Sequence, residues 1–337
     1  MQDGKEVLLR TRDLKKYFPM GDKSEGGKQR LLRAVDGVSI EIFAGETLAL
    51  VGESGSGKTT VGKTILRLLE PTGGEIFWRN EPITNISDKE MRILRREMQI
   101  IYQDPVDSLN PRRTVRQVLE EPLRYHKLVP HNQLRSRIEE LLYEVGLDPV
   151  HMNRYPHEFS GGQRQRVGIA RALSMNPKFI VCDEPVSALD VSIQAQILNL
   201  LTDLRKKQNL TYLFISHNLG VVRQISSRVM VMYLGMVMEL CDSDTLFERP
   251  LHPYSKALLS AIPIPDPEKK RADRIVLQGD VPSPVDIPKG CRFHPRCAYM
   301  QPVCSEKEPV WEEVESGHFC MCHFAGKLGA MHKEAQT

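Results

Sequence analysis

The segment GESGSGKTT, Gly52 to Thr60, follows the continuous apolar run TLALV and precedes a helix predicted for Val61 to Leu69. Its glycines let backbone N–H groups turn inward around phosphate oxygens, and the helix adds the positive end of its dipole. A strand, a glycine-rich turn and a helix in this order are the context that a phosphate-binding loop requires. We therefore predict an α/β fold built around a P-loop. The residues predicted to bind nucleotide there are Gly52, Glu53, Ser54, Gly55, Ser56, Gly57, Lys58, Thr59 and Thr60.

A second buried strand is predicted for Phe179 to Asp183, in the segment FIVCDE, and its last residue forms an acidic pair with Glu184. We expect Lys58 to reach the β- and γ-phosphates, and Thr59 and Asp183 to ligate Mg²⁺. Glu184 is then placed to orient or deprotonate the attacking water. Acidic pairs at strand ends are common, but this pair occurs downstream of a P-loop.

Two polar side chains at strand ends and one aromatic side chain extend the predicted site. Gln103 ends an apolar strand, where an amide can touch Mg²⁺ or the attacking water. His217 ends the strand predicted for Thr211 to Ser216, where it can contact a γ-phosphate. Phe18 precedes the first core strands and can stack on adenine, with the adjacent Tyr17 as the alternative.

The segment SGGQRQR opens another predicted helix with Ser160, Gly161, Gly162 and Gln163. Two glycines at a helix N-terminus expose backbone N–H groups, which makes a second anion site in a chain that already has one. A glycine-rich helix cap is the alternative. We favour a composite site, in which this surface closes on ATP held by the P-loop of a second subunit.

The alternation of strands and helices predicts a mainly parallel core sheet covered by helices. Short alternating apolar patterns near the N-terminus add strands outside this alternation, which we expect to form an antiparallel β subdomain. Charged helical patterns over residues 104–160 predict an inserted helical subdomain. We expect a nucleotide-binding domain over residues 1–255. A proline-punctuated extension with crowded cysteines is expected over residues 256–337.

Composition limits the class of protein. The apolar fraction of 41% and the charged fraction of 26% are typical of a soluble globular protein, and a net charge of +3 gives no argument for nucleic acid. No apolar run approaches the roughly 18 residues of a membrane-spanning helix, and the N-terminus has no secretory signal. Any membrane role is therefore expected to come through a partner.

Five of the seven cysteines crowd into the segment from Cys291 to Cys322. Disulfides are not expected in a reducing cytoplasm, so a metal site is the favoured interpretation and packing without metal is the alternative. Thiolates from Cys291, Cys297, Cys304 and Cys322 can bind Zn²⁺ or an iron–sulfur cluster, with Cys320 as an extra.

With these motifs in order from about Leu8 to Leu240, the chain resembles the ATP-binding subunits of ABC transporters. Further segments resemble the dipeptide and oligopeptide importer ATPases, in particular the second of the two unlike ATPases of such importers. These segments are QDPVDSLNPR, EPVSALDVSIQAQILNLL, HPYSKALLSAIP and GCRFHPRC. One departure is Asn218, which follows His217 where the family usually has Asp.

The resemblance implies an ATPase that pairs with a paralogous ATPase and powers two transmembrane permeases, fed by an extracytoplasmic peptide-binding protein. It places the chain on the cytoplasmic face of the bacterial cell membrane. It implies ATP, Mg²⁺ and a [4Fe–4S] cluster as cofactors, with Cys322 matching the last ligand better than Cys320. The alternatives are importers of nickel, glutathione or another small solute, a soluble ABC ATPase, and a P-loop kinase or GTPase, against which SGGQRQR argues.

Overall fold

The structure is a computed structural model that describes residues 6–20, 30–104, 109–262 and 275–327. The chain divides into two compact units. The first unit comprises segments 1–42, 48–84 and 216–337, and the second comprises 43–47 and 85–215.

The strands of the first unit are β1 (Val7–Met20), β2 (Arg30–Phe43), β3 (Thr47–Val51), β4 (Gly73–Trp78), β5 (Glu81–Pro82), β9 (Arg228–Tyr233), β10 (Met236–Asp242), β11 (Glu312–Glu315) and β12 (His318–Cys320). They form a four-stranded sheet of order β2-β1-β4-β5 and the strand run β11-β12-β10-β9-β3. In that run β3 pairs with β9 in parallel, and the pairs from β9 to β11 are antiparallel. The helices are α1 (Lys58–Ile65), α7 (Leu219–Ile225), α8 (Ser243–Glu248), α9 (Pro253–Ser260) and α10 (Pro302–Glu306).

The second unit contains three parallel strands, in the order β8-β7-β6, and a group of helices. Its strands are β6 (Met98–Ile101), β7 (Phe179–Asp183) and β8 (Thr211–Ser216). Its helices are α2 (Asp88–Leu94), α3 (Val115–Tyr125), α4 (Leu134–Glu144), α5 (Gly161–Leu173) and α6 (Val191–Gln208). Strands β7 and β8 are fully buried, as expected for parallel strands covered on both faces.

These units confirm the predicted α/β class with parallel core strands and an antiparallel sheet. Both predicted ends of the first helix, Val61 and Leu69, are wrong, because α1 begins at Lys58 and ends at Ile65. The helix cannot continue since Arg67 has a left-handed backbone, with φ 49°. The buried Arg67 guanidinium donates to Glu70 and to the carbonyl of Ile83, which holds this turn in place.

The C-terminal segment contributes to the core of the first unit. Strand β12 pairs with β10, and β11 adds one further strand at the edge. The buried Cys291, Phe293 and Cys304 pack in one hydrophobic cluster with Val51 and Tyr233. Among the residues that the structure describes, no helix combines the length and apolarity needed to cross a membrane.

Candidate active site

The P-loop of the first unit approaches its neighbours so closely that two of its glycines are required. A Cβ on Gly52, whose φ is 151°, would lie 2.1 Å from the carbonyl oxygen of Met232. A Cβ on Gly57, whose φ is 103°, would lie 2.0 Å from the carbonyl oxygen of Ala34. Gly57 is also the N-cap of α1, so the loop leads directly into the positive end of the helix dipole.

Lys58 is buried against the loop that precedes it. Its ammonium donates to the carbonyl oxygens of Gly52, at 2.8 Å, and Glu53, at 2.9 Å. The ammonium is therefore held by the carbonyl oxygens of the first two residues of the loop that the sequence predicts to bind phosphate.

Glu53 joins the P-loop to the C-terminal segment of the same unit. Its backbone N–H donates to the hydroxyl of Tyr254 at 2.8 Å. Its carboxylate accepts two hydrogen bonds from the guanidinium of Arg296, at 2.6 and 3.0 Å, and these bonds raise the pKa of Arg296 above its usual value. Sequence reasoning missed Tyr254 and Arg296. The available signal was their position inside HPYSKALLSAIP and GCRFHPRC.

The two adjacent aromatic residues at the end of β1 have different surroundings. The hydroxyl of Tyr17 donates to Asp36, whose carboxylate also receives Arg292. Burial and the bond to Asp36 raise the pKa of Tyr17 to about 12. Phe18 is half-buried and its ring contacts only the Lys16 ammonium among the ring contacts described, at 5.1 Å. The Tyr17 hydroxyl therefore has a protein partner, and stacking of adenine on Phe18, with Tyr17 as the alternative, stays a prediction.

Asp183 ends the buried strand β7 of the second unit, and Glu184 follows it directly. Asp183 is buried, whereas Glu184 is partly exposed. Glu184 has φ 46°, and its N–H donates to the carbonyl oxygen of Ile215 at 3.0 Å. The amide of Gln103 donates to the Glu184 carboxylate at 3.3 Å. The structure therefore brings together the predicted water-activating carboxylate and the predicted water-contacting amide.

The SGGQ segment forms the N-terminus of α5, with Ser160 as the N-cap. Ser160 Oγ accepts from the N–H of Gln163, and the Gln163 side chain accepts from the N–H of Ser160. Ser160 is exposed and Gly161 is half-buried, as an outward-facing anion site requires. Gly162 is buried, and a Cβ there would lie 2.5 Å from Cγ2 of Ile193 on α6. The close packing of α5 against α6 therefore favours glycine at this position.

His217 is exposed immediately after β8, where the sequence placed it. Asn218 is the N-cap of α7, and its side-chain oxygen accepts from the N–H groups of Gly220 and Val221. Asn and Asp cap helices equally well, so the departure at this position keeps the local structure.

The predicted nucleotide residues belong to different units. Phe18, the P-loop and His217 lie in the first unit. Gln103, Asp183, Glu184 and the SGGQ segment lie in the second unit. The structure thus organises each half of the predicted site, and its use as one site stays a prediction.

Four cysteines of the C-terminal segment line one small cavity. These are Cys291, Cys297, Cys304 and Cys322, the four that the sequence predicts as ligands. Burial raises the pKa of Cys297 to about 12 and that of Cys322 to about 11. Backbone N–H groups oppose this effect, including the N–H of Phe324, which donates to Cys322 Sγ at 3.4 Å. Convergent thiols with backbone donors fit a metal group that binds thiolates.

Cys320 lies elsewhere, opposite Glu239 in the pairing of β12 with β10. The Glu239 carboxylate is fully buried and accepts from the N–H groups of Leu251 and His252, and His318 Nε2 lies 2.7 Å from it. Ligand atoms of Glu239, Cys241 and His318 lie within 4.8 Å of one another. The Glu239 carboxylate thus holds the backbone N–H groups of Leu251 and His252, which directly precede α9, and we assign it a structural role.

Family models match most of the described core. The model "ABC transporter" matches residues 35–187, and the model "Oligopeptide/dipeptide transporter, C-terminal region" matches residues 238–304. The oligopeptide transport ATP-binding protein AppF of Bacillus subtilis is 51% identical, over 94% of this chain and 97% of the relative. OppF of Escherichia coli, also an oligopeptide transport ATP-binding protein, is 48% identical, over 92% of this chain and 94% of the relative.

Solved structures of ABC-type ATP-binding proteins are also similar to this chain. The structure of cbiO1 from Clostridium perfringens matches with a TM-score of 0.63 and 28% identity, over 73% of this chain and 93% of that one. An ATP-binding cassette in a dimeric post-hydrolysis state, bound to ADP and Pi, matches with a TM-score of 0.62 and 30% identity, over 70% of this chain and 99% of that one. The chain belongs to the ABC transporter family, in the group of oligopeptide transport ATP-binding proteins.

Proposed function

We propose that this ABC-type ATPase powers the import of di- or oligopeptides through a membrane transporter. The observation that carries the proposal is a preformed P-loop in a chain whose residues 238–304 match the oligopeptide and dipeptide transporter model. The names of AppF and OppF support the peptide cargo. We assign nucleotide binding to residues 1–255 and the cysteine-rich extension to residues 256–337.

Each residue of the site then has one role in hydrolysis. Lys58 would exchange the loop carbonyls for the β- and γ-phosphates, and Thr59 and Asp183 would hold Mg²⁺, which would supply neutralisation of the phosphate charge. Glu184 accepts a proton from the attacking water or aligns it. Gln103 already donates to Glu184, so it can hold this carboxylate until water and nucleotide arrive.

We assign adenine stacking to Phe18 and contact with the γ-phosphate to His217. The SGGQ segment caps ATP that is bound to the P-loop of the other subunit of a dimer. The N–H groups of Ser160 and Gln163 are used inside the capping box, so the first-turn N–H groups of Gly161 and Gly162 are the ones that support this role, next to the exposed Ser160 side chain. We propose a paralogous ATPase as this subunit, rather than a second copy of the chain.

A groove in the second unit supports an attachment to the permeases. It lies between α3 and the residues around β6 and is lined by Gln99, Asn110, Arg113, Tyr125 and Arg171, among others. The exposed ring of Tyr125 adds an apolar surface to a lining that also carries Arg113, Glu121 and Arg171, a mixture that suits a polypeptide segment. We propose that a cytoplasmic segment of a permease docks in this groove. The chain would then be a peripheral protein on the cytoplasmic face of the cell membrane, and the peptides would come from an extracytoplasmic binding protein.

We also propose that Cys291, Cys297, Cys304 and Cys322 hold a [4Fe–4S] cluster, with Zn²⁺ as the alternative. Their shared cavity and the backbone N–H donors support a bound thiolate group. A cluster would cross-link four separate points of the extension, and we assign it a structural role.

Transport by the reconstituted complex tests the function. The chain, its paralogous ATPase and the two permeases are placed in proteoliposomes with the binding protein, and uptake of labelled peptide is measured with ATP. We expect uptake with wild-type protein and none with Lys58→Ala in this chain. Uptake of nickel or glutathione without uptake of peptide would overturn the proposed cargo, and undiminished uptake by Lys58→Ala would overturn the proposed site.

A further inference from the structure

A partly buried ion pair joins the P-loop to the cysteine-rich extension. Arg296 precedes Cys297 directly, and its side chain is 7% exposed, whereas that of Glu53 is 27% exposed. Both terminal nitrogens of its guanidinium donate to the carboxylate of Glu53. Two parallel charge-assisted bonds fix the orientation of both groups as well as their distance.

Aromatic packing stiffens this connection. The guanidinium of Arg296 lies over the ring of Tyr233, at 5.9 Å from its centroid. Tyr233, Tyr254 and Phe293 contact one another, with centroid separations of 4.8 to 5.4 Å. All three side chains are fully buried, so Arg296 has little freedom to follow a displaced Glu53.

Glu53 transmits the restraint to the phosphate cradle. Its backbone N–H is held by Tyr254 and its side chain by Arg296, while its carbonyl oxygen holds Lys58 at 2.9 Å. A movement of the Glu53 peptide would therefore move an oxygen that positions the phosphate-binding lysine.

We propose that Arg296 is a positioning residue for ATP binding, through which the C-terminal extension fixes the geometry of the P-loop. The inference rests on the proposed role of the P-loop. It assigns to the extension a part in nucleotide affinity, in addition to any part in folding.

The test measures the Kd of a fluorescent ATP analogue, and KM and kcat for ATP, with the full chain in its complex. We expect Arg296→Gln to raise Kd and KM about tenfold and to leave kcat at saturating ATP within about twofold, because uniform binding is lost. Arg296→Lys keeps the charge but loses the bidentate geometry, so we expect an intermediate Kd. Thermal unfolding of each variant reports whether the fold is retained.

A double-mutant cycle separates positioning from two independent effects. Glu53→Gln should raise Kd about as much as Arg296→Gln, and the double variant should raise it about tenfold rather than a hundredfold, because the residues act as one pair. Additive effects would overturn the inference.

The ion pair between Arg30 and Asp286 provides the control. It also joins the extension to an earlier strand of the same unit, but both side chains are exposed, at 64% and 69%. Arg30→Gln should change Kd by less than about twofold, as is usual for an exposed pair. An equal effect of Arg30→Gln, or an unchanged Kd for folded Arg296→Gln and Arg296→Lys, would contradict the inference. Lys58→Ala distinguishes failure of this inference from failure of the proposed ATP site. Unchanged ATP binding in Lys58→Ala would overturn the assignment of the P-loop as the ATP site.

Discussion

Glu184 combines a partly exposed carboxylate with a left-handed backbone conformation, φ 46°, which a residue with a Cβ rarely adopts. Such a conformation costs on the order of 1–3 kcal/mol and persists only where neighbours enforce it. Here the N–H of Glu184 is held by Ile215, and its carbonyl oxygen accepts from the N–H and the hydroxyl of Ser187. The turn after β7 is thus built to present this carboxylate.

Glu184→Gln should abolish most hydrolysis and retain ATP binding. The amide has nearly the same size but cannot accept a proton, and a general base typically contributes ~10²–10⁴-fold to the rate. Single-turnover kinetics and the Kd for ATP measure the two effects separately. Near-wild-type turnover would show that Glu184 is not the base, and lost binding would show that the substitution disturbs the site more widely.

At the scale of single residues, the sequence predicts those that belong to a local motif. Lys58, Asp183 and Glu184 belong to short segments whose order predicts their chemistry. Asp183 ends β7 as predicted and Glu184 follows it, whereas Lys58 begins α1, ahead of the predicted start at Val61. Arg296 and Tyr254 support the loop from more than 200 positions away along the chain. No periodicity or spacing indicates such a contact, because it depends on the tertiary fold.

At the scale of elements, the short buried strands β7 and β8 were predicted more closely than the first helix. Strands β7 and β8 have the predicted bounds, because each is a short apolar run between polar residues. The end of α1 was missed, because Arg67 stops the helix by an unusual backbone conformation that its buried hydrogen bonds maintain. The pairing of β12 with β10 was also not predicted, since strand pairing is set by tertiary contacts.

Helix α5 begins with a capping box that has a matched counterpart on α3. Ser160 with Gln163 and Thr114 with Gln117 make the same reciprocal bonds. Replacement of either N-cap by alanine should lower the free energy of unfolding by about 1 kcal/mol, since an orphan backbone donor loses its acceptor.

Only Ser160→Ala should also lower ATP turnover in the complex, because α5 carries the proposed surface that caps ATP. Denaturant unfolding and steady-state ATPase assays on both variants check this. Equal turnover in Ser160→Ala and Thr114→Ala would mean that the serine serves the helix alone.

At the scale of the whole molecule, each chain supplies one P-loop and one SGGQ surface. A surface that acts on ATP in another subunit gives no catalysis by itself, so the isolated chain should hydrolyse ATP poorly. We expect ATP turnover per ATPase subunit to rise at least about tenfold when the paralogous ATPase and the permeases are added at the same protein concentration. The reason is that loss of electrostatic stabilisation from one side of a catalytic site commonly lowers the rate ~10²–10³-fold. Equal specific activity of the isolated chain and the complex would contradict the composite site.

The extension provides the last prediction, which uses Cys320 as a control for Cys322. Anaerobically purified protein should be brown and contain about four irons and four labile sulfides per chain, the composition of a [4Fe–4S] cluster. Cys322→Ala should lose the iron, because Cys322 lines the cavity shared with Cys291, Cys297 and Cys304. Cys320→Ala should keep it, because Cys320 lies across from Glu239 on β10.

Metal analysis and absorption spectra check both variants, and circular dichroism reports whether each one folds. Stoichiometric zinc without iron would overturn the cluster and preserve the four ligands. Loss of iron from folded Cys320→Ala together with its retention in Cys322→Ala would overturn the ligand set. Removal of the iron by a chelator should also lower the thermal stability of the wild-type protein, since the cavity would lose the group that joins its four walls.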